Sequence, residues 1–273
     1  MKQRRKEEAW MKRKIILGRY MEGDSWVHRL DPRAKTAAMP LFMVAVFLVD
    51  GYMGVLALLL FTAAVIRATR IPYRYFIRAM KPLMFIILFI LVFHLLYDAG
   101  GGKLLDVGAF KVYAGGLEKG IVSASRMALF IMLAAVLTFT TQPEQLAQGL
   151  GSLLRPLTYI GVPTDRLVLM LGIALRFIPT IFEEAERLWK AQQSRGLDLS
   201  SRSLKEKARL IIALLVPVTT GAFRRAIGLA DSMEARGYRL GAPRSRFRAS
   251  VWKRADTLFV ALFLLPVAAA ALL

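Results

Sequence analysis

Cysteine and asparagine are both missing from this 273-residue chain, and histidine occurs only twice. Without thiols there is no disulfide, no thiolate nucleophile and no Cys-ligated metal. The two histidines, His28 and His94, lie far apart in sequence, so a His-based metal or acid–base cluster has little to draw on. Acids are scarce as well: 19 Asp and Glu stand against 39 Lys and Arg, a formal net charge of +20. No Gly-x-x-x-x-Gly-Lys-Ser/Thr loop is present, so the chain itself is not expected to cradle ATP phosphates. Nor is there a Gly-x-Ser-x-Gly nucleophile elbow. The expectation is a chain with no catalytic residue, no metal ligand and no cofactor of its own.

What is abundant is apolar surface. Hydrophobic residues make up 56% of the chain, and the mean hydropathy is +0.47. So much apolarity and so much positive charge coexist only if they occupy different stretches. They do. A bilayer core of ~30 Å takes about 20 apolar residues per helix. Residues 36–66 are nearly uncharged and too long for one helix, which predicts two short spans with a tight turn at Asp50-Gly51-Tyr52. Leu83 to Tyr97 reads as a third span, Gly120 to Thr141 as a fourth and Thr257 to Leu273 as a last one. The fold class expected is an all-α membrane protein of about five transmembrane helices. Its parts are a basic N-terminal segment (1–35), a four-span membrane domain (36–141), a coupling-helix domain (142–255) and a final span (256–273).

Loop charge sets the expected orientation. Residues 1–35 hold 11 Lys and Arg against 5 acids, and residues 67–81 hold five cations (Arg67, Arg70, Arg74, Arg78, Lys81) and no acid. Residues 98–119 are balanced at three and three, with six glycines, and residues 142–255 hold 19 cations against 9 acids. The N-terminus, loop 67–81 and residues 142–255 are therefore expected in the cytoplasm, and loop 98–119 outside. The first 35 residues lack the apolar run of a cleavable signal peptide. Residues 1–14 read as a basic arm, on anionic lipid or in solvent. Asp31 is a helix cap and Pro32 a first-turn residue, which would place Arg33 and Lys35 at the headgroup level.

One arrangement occurs twice. A helix capped at Thr164-Asp165 can run through Pro179 to Ser194-Arg195-Gly196, apolar in its first half and amphipathic in its second. Another, starting at the capping box Ser203-Leu204-Lys205-Glu206, runs through Pro217 to Ala235-Arg236-Gly237. It carries an apolar or small-residue stripe from Leu204 to Ala226, fit for close helix crossing. Each proline is expected to kink its helix, and Arg176, three residues before Pro179, to support that kink by pairing with a freed carbonyl, Glu183 or Asp231. A single Arg-Gly helix end is ordinarily a cap, with glycine left-handed and arginine on the negative end of the dipole. Two such ends, each below an amphipathic half-helix, suit a contact in which guanidinium groups bond a partner's carboxylates or carbonyls.

These stretches together resemble the transmembrane coupling subunit, the T component, of energy-coupling factor transporters, ATP-driven importers of vitamins and transition-metal ions. Ser25-Trp26-Val27-His28-Arg29-Leu30-Asp31-Pro32-Arg33-Ala34-Lys35 is similar to the signature before the first span. Val162-Pro163 and Leu175-Arg176-Phe177-Ile178-Pro179 are similar to the first coupling helix. The two Arg-Gly ends resemble the paired Ala-Arg-Gly motifs, with Ser194 in place of the more usual alanine. The resemblance implies that Arg195 and Arg236 are tips held by two ABC-type ATPase subunits, which bind the ATP. It also implies that the apolar faces of the crossing helices carry a substrate-binding membrane S component, that the chain is a non-catalytic scaffold, and that it sits in the cytoplasmic membrane of a prokaryote.

The rival reading is a stand-alone secondary transporter with Arg126 or Arg176 in its substrate path. The spans hold almost no acid to bind a coupling ion, and no inverted repeat is apparent. Nucleic acid is not an expected partner, because the cations follow the inner-face loops and few aromatics interleave them. The basic run Arg239, Arg244, Arg246, Arg248, Lys253, Arg254 is read as gripping anionic lipid. His94 and Asp98, four apart on one helix face, form an interfacial pair without a third ligand, and Arg126 is expected to snorkel to the outer headgroups.

Overall fold

The structure, a computed structural model, describes residues 20–98, 100, 102–107, 110–195, 204–239, 241–242 and 251–272. The basic arm 1–14, Gly196, Ser203 and residues 244–248 of the basic run lie outside the described residues. The fold is that of an all-α membrane protein. Its helices are α1 (Pro32–Leu48), α2 (Gly51–Thr69), α3 (Tyr73–Met80), α4 (Met84–Tyr97), α5 (Ala114–Thr140), α6 (Pro143–Leu153), α7 (Thr164–Ser194), α8 (Leu204–Ala235) and α9 (Arg254–Leu272). A short antiparallel hairpin, β1 (Lys103–Val107) and β2 (Phe110–Tyr113), occupies the glycine-rich stretch between α4 and α5.

Among the described residues, four stretches are long and apolar enough to cross a membrane: Gly51–Thr69, Tyr73–Tyr97, Ala114–Thr140 and Ile211–Ala235. The first three fall on spans read from the sequence. The fourth lies within α8, in the stretch assigned to the coupling domain, because its charges gather at its end. The basic stretch 67–81 is largely helical: α3 presents Phe76 inward and keeps Arg74 and Arg78 exposed, with a 3₁₀ turn, Lys81–Leu83, leading into α4.

The chain divides into two compact units, residues 1–165 with 250–273, and residues 166–249. In the first unit α1 packs against α9, α6 and α5, and α5 against α2, α3 and α4. Its core is aromatic. Phe42 of α1, wholly buried, meets Phe61 of α2 and Phe263 of α9 with ring centroids 6.0 Å away in each case, and Phe61 lies edge-on to Phe263 at 5.0 Å. Edge-to-face rings of this kind add to the gain from burial alone. Small residues let helices approach closely: a Cβ on Gly116 would fall 2.6 Å from the His94 carbonyl oxygen of α4.

The turn at Asp50-Gly51 is where the sequence puts it. Gly51 adopts φ +81°, a left-handed value open to glycine. Arg126 of α5 reaches it, its Nη2 donating to the Val49 carbonyl at 2.5 Å and to Asp50 Oδ1 at 2.8 Å. Arg126 thus staples a bend whose carbonyl the helix cannot satisfy.

Candidate functional site

The second unit presents the two arginine tips. The helix of the first, α7, continues through Pro179, and its lower half is laced by ion pairs one turn apart: Glu183 with Arg187 at 3.6 Å and Glu186 with Lys190 at 2.7 Å. Ser194 Oγ folds back to donate to the Lys190 carbonyl at 3.1 Å. The amide of Arg195 is shared between the carbonyls of Ala191 (3.3 Å) and Gln192 (3.1 Å), the three-centre pattern of a closing helix. Ser194 and Arg195 are exposed.

The second tip ends differently. The Gly237 amide bonds to the Glu234 carbonyl at 2.8 Å and the Tyr238 amide to the Met233 carbonyl at 3.0 Å, with Gly237 at φ +75°. This pair of bonds is a Schellman closure, for which a residue free to take left-handed backbone is needed. Ala235, Arg236 and Gly237 are all exposed. The chain thus ends both helices with a guanidinium in solvent, next to the negative pole of the helix dipole. Pro217 lies within α8, and the hydroxyls of Thr219 and Thr220 donate to the Leu215 and Val216 carbonyls around it at 2.9 Å.

Arg176 does not take the partners anticipated for it. It is exposed, and Glu183 is engaged by Arg187 instead, because a partner one turn along the same helix is nearer than one two turns away. The tie between α7 and α8 is another pair: the Arg225 guanidinium holds the Glu184 carboxylate. Gly221 admits it, since a Cβ there would stand 2.5 Å from Glu184 Oε1. Sequence reading missed this pair, because Glu184 was one of three clustered glutamates and Arg225 one of two adjacent arginines.

The motif before the first span is also built differently from an interfacial helix start. Asp31 caps α1, its Oδ1 accepting from the Arg33 amide at 2.8 Å. Lys35, however, is 4% exposed rather than at the headgroup level; its Nζ donates to the carbonyls of His28 (3.3 Å) and Thr140 (3.0 Å). Its position one turn into α1 points it across the bundle at the last turn of α5. The 1%-exposed carboxylate of Asp256 accepts the Asp31 amide and the Lys253 amide, each at 2.7 Å. Ser25 and His28 complete the knot, Oγ to Nδ1 at 2.5 Å, while His28 Nε2 reaches the Met21 carbonyl at 3.1 Å. Burial holds the His28 imidazole below its ordinary pKa, against the pull of that carbonyl. Asp256 was legible only as an acid at the start of a span.

His94 and Asp98 pair as their spacing predicts, Nδ1 to Oδ2 at 2.7 Å, and Lys119 of α5 joins them at 2.8 Å from Oδ1. Lys119 first, then His94, holds the Asp98 carboxyl below the usual carboxylate range. The group is an ion-paired pin between α4 and α5. Among the described residues no cluster of three or more His, Cys, Asp or Glu is arranged to hold a metal ion.

The family CbiQ, described as cobalt transport protein, matches residues 23–247. The chain is 42% identical over 243 residues to the energy-coupling factor transporter transmembrane protein EcfT of Bacillus subtilis (strain 168), covering 89% of this chain and 92% of that protein. It is 40% identical over 247 residues to EcfT of Listeria innocua, covering 90% and 93%. To EcfT of Exiguobacterium sibiricum it is 40% identical over 257 residues, covering 93% and 98%. The family match runs from before Ser25 to beyond both exposed arginine tips, and the chain belongs to the CbiQ family, among the transmembrane components of energy-coupling factor transporters.

Proposed function

We propose that this chain is the non-catalytic scaffold through which two ABC-type ATPase subunits drive a substrate-binding S component. Arg195 and Arg236 are the points of attachment, flanked by Ser194, Gly196, Ala235 and Gly237. The observation that carries the reading is the pair of exposed guanidinium groups, each at the end of a helix of more than thirty residues. ATP is bound and hydrolysed by the partner subunits, and this chain passes their motion along α7 and α8. Packed helices shift as units, so a displacement at a tip is delivered at a distance rather than absorbed locally.

The surface for the S component is the apolar side of the same helices. Ile211, Ile212, Leu215, Val216 and Phe223 of α8 are each more than half exposed, as is Met170 of α7. Contiguous apolar surface of this kind belongs against lipid or another membrane protein. In this reading the N-terminus and both tips face the cytoplasm, the side that the excess of Lys and Arg in their loops supports. A stand-alone secondary transporter is not favoured by the relatives.

Co-purification tests the proposal. Extracted in mild detergent from cells expressing the whole transporter, the chain should bring two ATPase subunits with it. The double variant Arg195→Ala/Arg236→Ala should lose them and all ATP-driven uptake, while unfolding at the native temperature. Full uptake by that variant would overturn the assignment.

A further inference from the structure

We propose that the first unit carries a binding site for one anionic phospholipid, at the end of the bundle where α2 finishes and α9 begins. An apolar hollow of about 160 Å³ lies there, lined by Trp26, Phe61, Ala64, Ala68, Phe259 and Leu262. It compares with the ~150 Å³ that holds a benzene-sized guest, so it takes a segment of acyl chain. Its walls come from three separate stretches of sequence, and beside it Phe61 and Phe263 close the core at 5.0 Å. The hollow is therefore a pocket in the bundle surface and not a shallow groove along one helix.

Two tryptophans mark the level of the headgroups. Trp26 packs edge-on against Phe259 at 5.9 Å, and Trp252 donates its indole N–H to Thr257 Oγ1 at 2.8 Å; each remains 46% exposed. Indoles that are apolar on one side and wet on the other collect at the membrane interface. Cations ring the same end. Arg67 is one turn from Ala64, Arg70 is two residues past Ala68, and Lys253 and Arg254 precede Phe259 by under two turns, about 9 Å along the helix axis at most. All four are exposed, and among the described residues none is in an ion pair with an acid. The acids of this end offset them little: Asp31 and Asp256 are buried in backbone hydrogen bonds, and Asp24 sits 3.9 Å from Arg29.

An apolar slot with exposed cations at the same end of the bundle selects a ligand with a hydrocarbon tail and a negative head. A zwitterionic lipid fills the slot but brings the cations no net negative charge, and a free phosphate answers them but leaves the slot empty. The site faces the leaflet on the side of α3 and does not depend on which subunits the tips engage.

The full-length chain in phosphatidylcholine vesicles, doped with phosphatidylglycerol brominated on its acyl chains, provides the test. Bromine at the hollow quenches Trp26, whose share of the emission is isolated by the Trp26→Phe variant. Quenching should saturate at a low mole fraction of phosphatidylglycerol, whereas brominated phosphatidylcholine should quench only in proportion to its abundance. Ala64→Phe, at an exposed position, should abolish saturation by filling the slot. Arg67→Gln and Arg254→Gln should each weaken binding roughly fivefold, the effect of about one cation at an anionic surface. If Ala64→Phe does not fold, the two arginine variants carry the test alone. Identical quenching curves for the two lipids, or saturation unaltered by the variants, would overturn the proposal.

Discussion

The backbone amide of Asp31 donates to the carboxylate of Asp256 at 2.7 Å, across 225 positions of sequence. The other oxygen of the same carboxylate holds the Lys253 amide, so one buried side chain fastens the start of the first helix to the start of the last. Both acids also act on the buried ammonium of Lys35. Asp256→Ala removes two charge-assisted hydrogen bonds and one of the two acids that act on a buried lysine, and should cost about 3 kcal/mol or more. Asp256→Asn, which keeps one acceptor, should cost less. Thermal unfolding of the full-length chain in detergent gives the order, and equal stability of the three proteins would contradict it.

The turn holding His28 should weaken in mild acid. Its imidazole is neutral in the fold, with Nδ1 accepting from Ser25 and Nε2–H facing the Met21 carbonyl. Because the folded pKa lies below the ordinary 6.5, the unfolded chain takes up the proton first as pH falls. The stabilisation is complete above 6.5 and is lost below it, down through the folded value. Unfolding temperatures at pH 7.5 and 5.5 should differ more for the native chain than for His28→Gln.

Gly237 holds a conformation that a branched side chain resists. Gly237→Val should cost about 1–3 kcal/mol locally through its positive φ. The Arg236 tip would then be re-aimed rather than deleted. Association with the ATPase subunits should fall well below that of the native chain while the melting temperature of the first unit is nearly unchanged.

Contact between α7 and α8 depends on the Gly221 gap. Gly221→Ala meets only the end of the flexible Glu184 side chain, so the fold should tolerate it while the carboxylate is pushed from Arg225. Exposure of about 30% on both partners limits the stability loss to about 1 kcal/mol. A double-mutant cycle of Glu184→Gln and Arg225→Gln on ATP-driven uptake should show coupling. Additive effects would argue that the pair has no part in transmission.

Features recorded in local chemistry were legible beforehand. The Asp50-Gly51 turn, the Asp31 cap, the His94–Asp98 pair and the Arg-Gly end at 236–237 all follow from residues within five positions of one another. The apolar runs gave three of the span-length helices. What the sequence concealed is long-range: Asp256 answering Asp31, Lys35 reaching the end of α5, Arg126 holding the first turn, and Glu184 choosing Arg225. Nothing in the type of a charged residue says whether a partner a hundred positions away will bury it. Helix α3 was read as loop because its cations mask an inward Phe76.

The Glu184–Arg225 clip falls ten residues before Ser194 on one helix and ten before Ala235 on the other, roughly 15 Å from each tip at 1.5 Å per residue. Beyond it, each helix runs about twice as far to its other end. Each helix is thus tied to the other at about one-third of its length from its arginine tip. Under the proposed coupling, a displacement at either tip meets this tie within about three turns, before it reaches Pro179 or Pro217.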